Sequence, residues 1–306
     1  MRRLPLVLAL SSLLPLIALA QAQPAAKETK YRSAKDIIDA APDSAWRDLD
    51  PANTLYMELP SGRVVIELAP GFAPEHVANI KTMAKGGFWD GTSIYRAQDN
   101  FVVQFGDVDA DDAAKAKKHP AGTRDKLPAE LTRKGAAPFD QIPDKDGWAP
   151  QVGFSDGFAV GHNPATEETW IAHCYGALGA GRNNAPDSSI GAELYVVIGQ
   201  APRALDKQLT MVGRVVQGMP LLSATPRGPE PMGFYENPAE RTTIKAIKLA
   251  SEVPEAERTA LQVLRTDSQA FRDATEARRN RKDDFYTLPA GHIDLCNVPL
   301  PVRAKK

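Results

Sequence analysis

Hydrophobic and polar positions alternate in a run of short segments. "TLYMEL" and "GRVVIEL" are β-branched-rich strands joined through the turn residues "PSG", the pattern of a β-hairpin over residues 54–68. The period then changes. In "APEHVANIKTMAKGG" Pro74 suits a first helical turn, Val77, Ile80 and Ala84 share a face, and Gly86-Gly87 stops the helix. "TSIYR" and "FVVQF" follow as two more strands. From about residue 109 to 173, Pro, Gly, Asp and Lys dominate, which predicts an elaborated insertion carrying one hairpin. Strand patterns resume in "YGALGA", "AELYVVIG", "LTMVGRVV" and "RTTIKAIKLA", with a second short helix expected over "VQGMPLLSAT". About eight short strands with only two clear helices predict a mainly β barrel or sandwich, because a parallel α/β sheet needs a helix after nearly every strand.

Both ends depart from this pattern. Residues 23–50 predict a linker with one short amphipathic helix in "SAKDIIDAAPDSAW". From Val253 helix formers dominate, in "PEAERTALQVL" and "DSQAFRDATEARRNRKDD", so residues 251–306 are expected to form a C-terminal helical extension. Leu261, Leu264 and Phe271 share a stripe there, which either packs on the main domain or docks a protein partner.

Met1-Arg2-Arg3 precedes an apolar run from Leu4 to Ala20 that ends in small residues. That is the pattern of a secretory signal peptide over residues 1–22, and the run is short for a membrane span. Export, cleavage and no further membrane insertion are therefore expected. Without Arg2 and Arg3 the chain carries 35 basic against 38 acidic side chains, a net of −3 (37 − 2 = 35). Such a balance leaves no electrostatic footprint for nucleic acid. The only cysteines are Cys174 and Cys296, and in an oxidising compartment a disulfide and two buried thiols both remain open. No CxxC motif, zinc spacing, P-loop, dinucleotide fingerprint, HExxH or GxSxG elbow occurs, so no cofactor and no metal are expected.

The chemistry sits in "SIYRAQDNFVVQFGD": one Arg and one Gln on short apolar strands, with no nucleophile or acid–base pair beside them. Tyr95-Arg96 followed by Phe101-x-x-Gln104-x-Gly106-Asp107 resembles the signature of cyclophilin-type peptidyl-prolyl cis-trans isomerases. "GRVVIELAPGFAPEHVANI", "GALGAGR", "GAELYVVIGQAPRALD" and "MVGRVVQGMPLL" extend the resemblance, in order, over about residues 54–249. The insertion, with "LPAELTRKG", and the extensions are similar to those of elaborated bacterial and chloroplast-lumen members. The resemblance implies a closed eight-stranded antiparallel β-barrel capped by two helices, spanning residues 51–250. It also implies a periplasmic enzyme that acts on proline-containing polypeptides and assists folding of exported proteins.

It assigns catalysis to Arg96 and substrate binding to Phe101, Val102, Gln104, Gly181, Arg182, Glu193, Tyr195, Leu205 and Leu209. Val103 and Phe105 are expected in the barrel core. The residues support the assignment independently: rotation about an X–Pro amide breaks no bond, so a fixed donor beside an apolar slot is sufficient chemistry. Several positions depart from the family pattern. Glu193 stands where Gln is usual, Tyr195 for Phe, Ala204 for Trp, Leu209 for His, and Gly181-Arg182 for Ala-Asn. Glu193 is expected close to Arg96, either orienting it or diverting it from the prolyl nitrogen. The competing expectation is a cyclophilin-like peptide-binding module or chaperone with weak or no catalysis.

Overall fold

The first hairpin forms as its alternation requires, Thr54–Leu59 against Gly62–Leu68, with Leu59 opposite Gly62 across a two-residue turn. The computed structural model describes residues 31–110, 112–135 and 138–305, so the segment expected as signal peptide lies outside the described residues. Residues Arg32–Lys306 form one unit. Among the described residues no helix is long and apolar enough to cross a membrane.

The hairpin belongs to a nine-stranded, strongly curled antiparallel sheet. Its spatial order is Thr242–Thr243, Ser93–Ala97, Val102–Gly106, Leu194–Val197, Ala177–Ala180, Met211–Gln217, Gly62–Leu68, Thr54–Leu59 and Ala246–Leu249. The expected closed eight-stranded barrel is thus replaced by an open sheet of nine strands. The reason lies in one segment that serves both edges. Thr242–Thr243 pairs with Ile94 and Ser93, Ala246–Leu249 pairs with residues 55–58, and between them Ile244 N–H donates to Thr92 O and Lys245 N–H to Glu58 O.

Inside the curl lies the main core of Leu55, Ile66, Ile94, Val103, Phe105, Leu178 and Val196, closed by Val77, Ile80 and Met83 of helix Pro74–Lys85. The helix expected near residue 219 is Met219–Ser223. Helix Pro74–Lys85 has no side-chain cap of its own at Ala73. Glu130 of the insertion supplies it, accepting from the N–H groups of Glu75 and His76 at 2.9 Å each and pairing with His76 Nδ1 at 2.7 Å. A carboxylate there satisfies orphan donors and meets the positive end of the helix dipole.

The insertion carries more than one hairpin. It forms a five-stranded sheet in the order Arg133–Lys134, Glu168–Ile171, Phe158–Asn163, Gln151–Ser155 and Asp140–Gln141. One set of its apolar residues, Phe158, Val160 and Ile171, shares a cluster with Val102, Tyr195, Val197 and Met211 of the curled sheet. Another set, Phe154, Trp170 and Ala172, packs with Trp46, Leu264, Phe271 and Leu295 from the two ends of the chain. Strands covered on both faces read as continuous apolar runs, which explains "LYVVI".

The C-terminal segment is less helical than expected. "PEAERTALQVL" becomes a 3₁₀ turn, Glu255–Glu257, and a strand, Leu261–Leu264, which pairs between Trp46–Asp48 and Val302–Ala304. Strand partners on both sides override helix propensity. One α-helix remains, Gln269–Arg279, capped by Ser268. Leu261, Leu264 and Phe271 are all buried, so of the two expectations for this stripe, packing on the domain and docking of a partner, the structure shows packing. At the N-terminal end the expected short helix is Ala34–Asp39, with a capping box from Ser33 and Asp36. Cys174 and Cys296 are joined by a disulfide that ties the 3₁₀ turn Leu295–Asn297 to the link between strands Glu168–Ile171 and Ala177–Ala180.

Candidate active site

Strand Ser93–Ala97 carries Tyr95 and Arg96, and its neighbour Val102–Gly106 carries Gln104. A register shift between Ile94 and Arg96 sets Arg96 opposite Gln104. The half-buried guanidinium is held on three sides. Its Nε–H donates to Met232 O at 2.7 Å, Nη1 to Gln104 Oε1 at 3.1 Å, and Nη2 to Gln98 Oε1. The rings of Phe101 and Phe234 flank it, with centroids 5.6 and 4.9 Å from Cζ. Burial lowers its pKa from the ordinary value, and Tyr95 opposes that shift. Those contacts use three of the five guanidinium donors, leaving one N–H on each terminal nitrogen among the described residues.

Two of these partners, Met232 and Phe234, come from a segment to which the sequence pattern assigned nothing. "RGPEPMGFY" runs beside Ser93–Ala97, with Ala97 N–H donating to Gly233 O and Tyr235 N–H to Tyr95 O. The approach requires glycine. A Cβ on Gly233 would stand 2.6 Å from both Ala97 O and Gln98 Cα. The two glycines and two prolines of this stretch are its sequence signal.

Most of the apolar residues expected to form a proline slot do come together. Val102 and Tyr195 are buried in one cluster, with half-buried Phe101 and Leu209 packed against it. Leu209 also lines a shallow depression of about 490 Å³ with Leu205 and Arg182. Arg182 folds back on its own loop, donating to Gln208 O at 2.8 Å, Asn183 O at 2.8 Å and Asn184 O at 2.9 Å. Gly181, Arg182, Gln104 and Glu193 line a second depression of about 530 Å³, together with Tyr95 and Phe234. Val103 and Phe105 are fully buried inside the sheet.

The two departures nearest the site have partners that the sequence did not reveal. Tyr195 does not turn its hydroxyl toward a substrate. The group lies 2.9 Å from His173 Nε2, and His173 Nδ1 pairs with Asp206 Oδ1 at 3.0 Å. Arg203 donates to Asp206 Oδ2 at 2.6 Å and forks onto Asp146 at 2.9 and 3.1 Å, which links the slot to the insertion. Burial first, then the Asp206 charge, push the Tyr195 phenol far above its ordinary pKa. Room for the ring as well as its hydroxyl exists because residue 179 is glycine: a Cβ there would stand 2.2 Å from Tyr195 Cζ and Oη.

Glu193 accepts from Tyr95 Oη at 2.5 Å and from Asp107 N–H at 2.7 Å. Gln104 Nε2 in turn donates to Tyr95 Oη at 2.7 Å. Glu193, expected either to orient or to divert Arg96, is connected to it through Tyr95 and Gln104.

The profile of the family described as "Cyclophilin type peptidyl-prolyl cis-trans isomerase/CLD" matches residues 54–249. A probable peptidyl-prolyl cis-trans isomerase of Brucella suis biovar 1 (strain 1330) is 28% identical over 204 residues, 66% of this chain and 84% of that protein. Peptidyl-prolyl cis-trans isomerase-like 1 of Homo sapiens is 30% identical over 111 residues, 35% of this chain and 64% of its own length. Among solved structures, cyclophilin AquaCyp293 from Hirschia baltica matches with a TM-score of 0.65 at 22% identity, covering 90% of this chain and 99% of that one. That likeness is one of fold.

Proposed function

The chain belongs to the cyclophilin-type peptidyl-prolyl cis-trans isomerases, and from that premise we propose that Arg96 is its catalytic donor, acting beside an apolar slot for the proline ring. Amide resonance sets the barrier to rotation, about 18–20 kcal/mol. At the twisted geometry the prolyl nitrogen loses conjugation and its lone pair localises. A donor aimed there stabilises the twisted form and offers little to the planar amide, so only the barrier falls. A gain of ~10⁵ in rate requires roughly 7 kcal/mol. The observation that carries the proposal is the preorganised guanidinium, fixed by Met232 O, Gln98 and Gln104 and flanked by Phe101, with terminal N–H groups left over. Phe101, Val102, Tyr195 and Leu209 form the slot, and Gln104 and Gly181 face the peptide backbone.

Exported polypeptides with slow X–Pro bonds are the proposed clients, in an oxidising compartment such as the periplasm. The basic and apolar start of the chain supports export, and the Cys174–Cys296 bond supports an oxidising location. The test is proline-limited refolding, with a short X–Pro peptide assay alongside. Arg96→Ala is expected to lose about 10²–10³-fold in kcat/KM. Equal rates for wild type and Arg96→Ala would reject the assignment.

A further inference from the structure

We propose that Glu193 and Tyr95 are positioning residues for the isomerase site, setting the Gln104 amide so that its oxygen braces Arg96 and its spare N–H is presented to a carbonyl of the bound peptide. The inference rests on the assignment of Arg96 and Gln104 to the site and assigns roles to two further residues.

Hydrogen-bond polarity carries it. An ionised carboxylate only accepts, and a phenol has one hydrogen to give. Glu193 takes that hydrogen from Tyr95 at 2.5 Å, so the Tyr95 oxygen is an acceptor for its other neighbour, Gln104 Nε2, at 2.7 Å. The amide then has one allowed orientation. Its oxygen faces Arg96 Nη1 at 3.1 Å. The flipped amide would set oxygen against the Tyr95 lone pairs and NH₂ against the guanidinium donors, losing both bonds.

One Nε2 hydrogen of Gln104 remains after the bond to Tyr95. The ideal Cβ position on Gly181 is 3.5 Å from Gln104 Nε2, so the missing side chain leaves that nitrogen open to the depression lined by Tyr95, Gln104, Gly181 and Glu193. With its oxygen engaged, Gln104 meets the peptide as a donor and selects an acceptor, a backbone carbonyl.

Two further features hold the relay in place. Glu193 is anchored by Asp107 N–H at 2.7 Å, and it lies so close to the sheet that a Cβ on Gly106 would stand 2.2 Å from Oε2. Burial first, then the Glu193 charge, raise the Tyr95 pKa well above its ordinary value, so the phenol keeps its hydrogen. The Tyr95 ring also stacks on Phe234 at 6.1 Å. Tyr95→Phe therefore removes the relay and leaves the ring contact.

The experiment is a double-mutant cycle on the full chain, read as kcat/KM on an X–Pro peptide, with thermal unfolding as the control for folding. Tyr95→Phe is expected to lose about three- to tenfold, the worth of one hydrogen bond. In a Gln104→Ala background it is expected to lose nothing further, because Tyr95 acts through Gln104. Glu193→Gln, which keeps an acceptor toward Tyr95, retains most of the activity, whereas Glu193→Leu falls to the level of Tyr95→Phe. Multiplicative losses for Tyr95→Phe and Gln104→Ala would overturn the relay, as would wild-type activity in Glu193→Leu. An Arg96→Ala variant as active as the wild type would instead reject the site assignment, so the two failures are separable.

Discussion

Tyr195→Phe deletes one oxygen from the floor of the proposed slot and leaves the ring. His173 is fully buried, and the lost hydroxyl is the partner of its Nε2 at 2.9 Å. Nδ1 stays committed to Asp206. A buried ring nitrogen without a partner costs about 1–3 kcal/mol. Spread over the unfolding entropy of residues Arg32–Lys306, that lowers Tm by about 2–5 °C. Activity is expected to stay within about twofold, because the deleted group points toward His173 and the ring still walls the slot. Gly179→Ala probes the same contact from the other strand. Its new Cβ would stand 2.2 Å from Tyr195 Cζ as well as Oη, so trimming the hydroxyl does not make room. The overpacking is expected to cost about 1–3 kcal/mol, to lower kcat/KM by displacing the ring, and to persist in the Gly179→Ala/Tyr195→Phe double variant. Thermal unfolding and peptide isomerisation on the four proteins form the assay. A Tyr195→Phe protein with unchanged Tm would refute the His173 pairing, and full rescue of Gly179→Ala by Tyr195→Phe would refute the geometry.

Three further outcomes follow from the packing. Burial raises the Asp206 carboxyl, but the hydrogen bonds from His173 and the Arg203 charge outweigh it and hold the pKa below the usual range; Asp144, bound to Arg279, is shifted the same way. Their contribution to stability is full above the ordinary Asp value of about 3.9 and lost as pH falls through the lower folded values, so unfolding midpoints should drop on the acid side and Asp206→Asn should flatten that slope. Reducing the Cys174–Cys296 bond, which spans 122 residues, should cost up to about 4–5 kcal/mol; coincident denaturant curves with and without reductant would show that packing alone holds the C-terminal segment. Glu130→Ala removes the cap of helix Pro74–Lys85 and strands His76 Nδ1, a loss of about 2 kcal/mol that should appear as faster amide exchange in residues 75–78.

How much of this was legible in the sequence depended on whether the signal was local. The hairpin at 54–68 and the helix at 74–85 carry their own turn and period, and both form where the pattern put them. The insertion did not. Its strands are four to six residues long at best, and two of them have only two residues, so no alternation accumulates. Such strands persist because Phe158 and Val160 on one side and Phe154 and Trp170 on the other bury them between two cores. "LQVL" failed for the same reason: its strand identity lies in partners at Trp46–Asp48 and Val302–Ala304, some 200 and 40 residues away.

The site shows the same division one level down. Arg96, Phe101 and Gln104 sit in a motif of thirteen residues, Tyr95 to Asp107, and their adjacency follows from two paired strands. Each departure from the motif is visible singly in the sequence, Glu193 as a charge that either orients or diverts Arg96 and Tyr195 as an added hydroxyl. Their compensation needed proximity. Tyr195 is matched by Gly179 across the sheet and by His173 at the end of the insertion, and Glu193 by Tyr95 and Gly106. In both cases the polar atom of the departing side chain is taken up by a partner, which is the cost a buried polar group must offset. Both departures are thus taken up by partners on neighbouring elements, and neither displaces the contacts that fix the Arg96 guanidinium, which supports the role proposed for that donor.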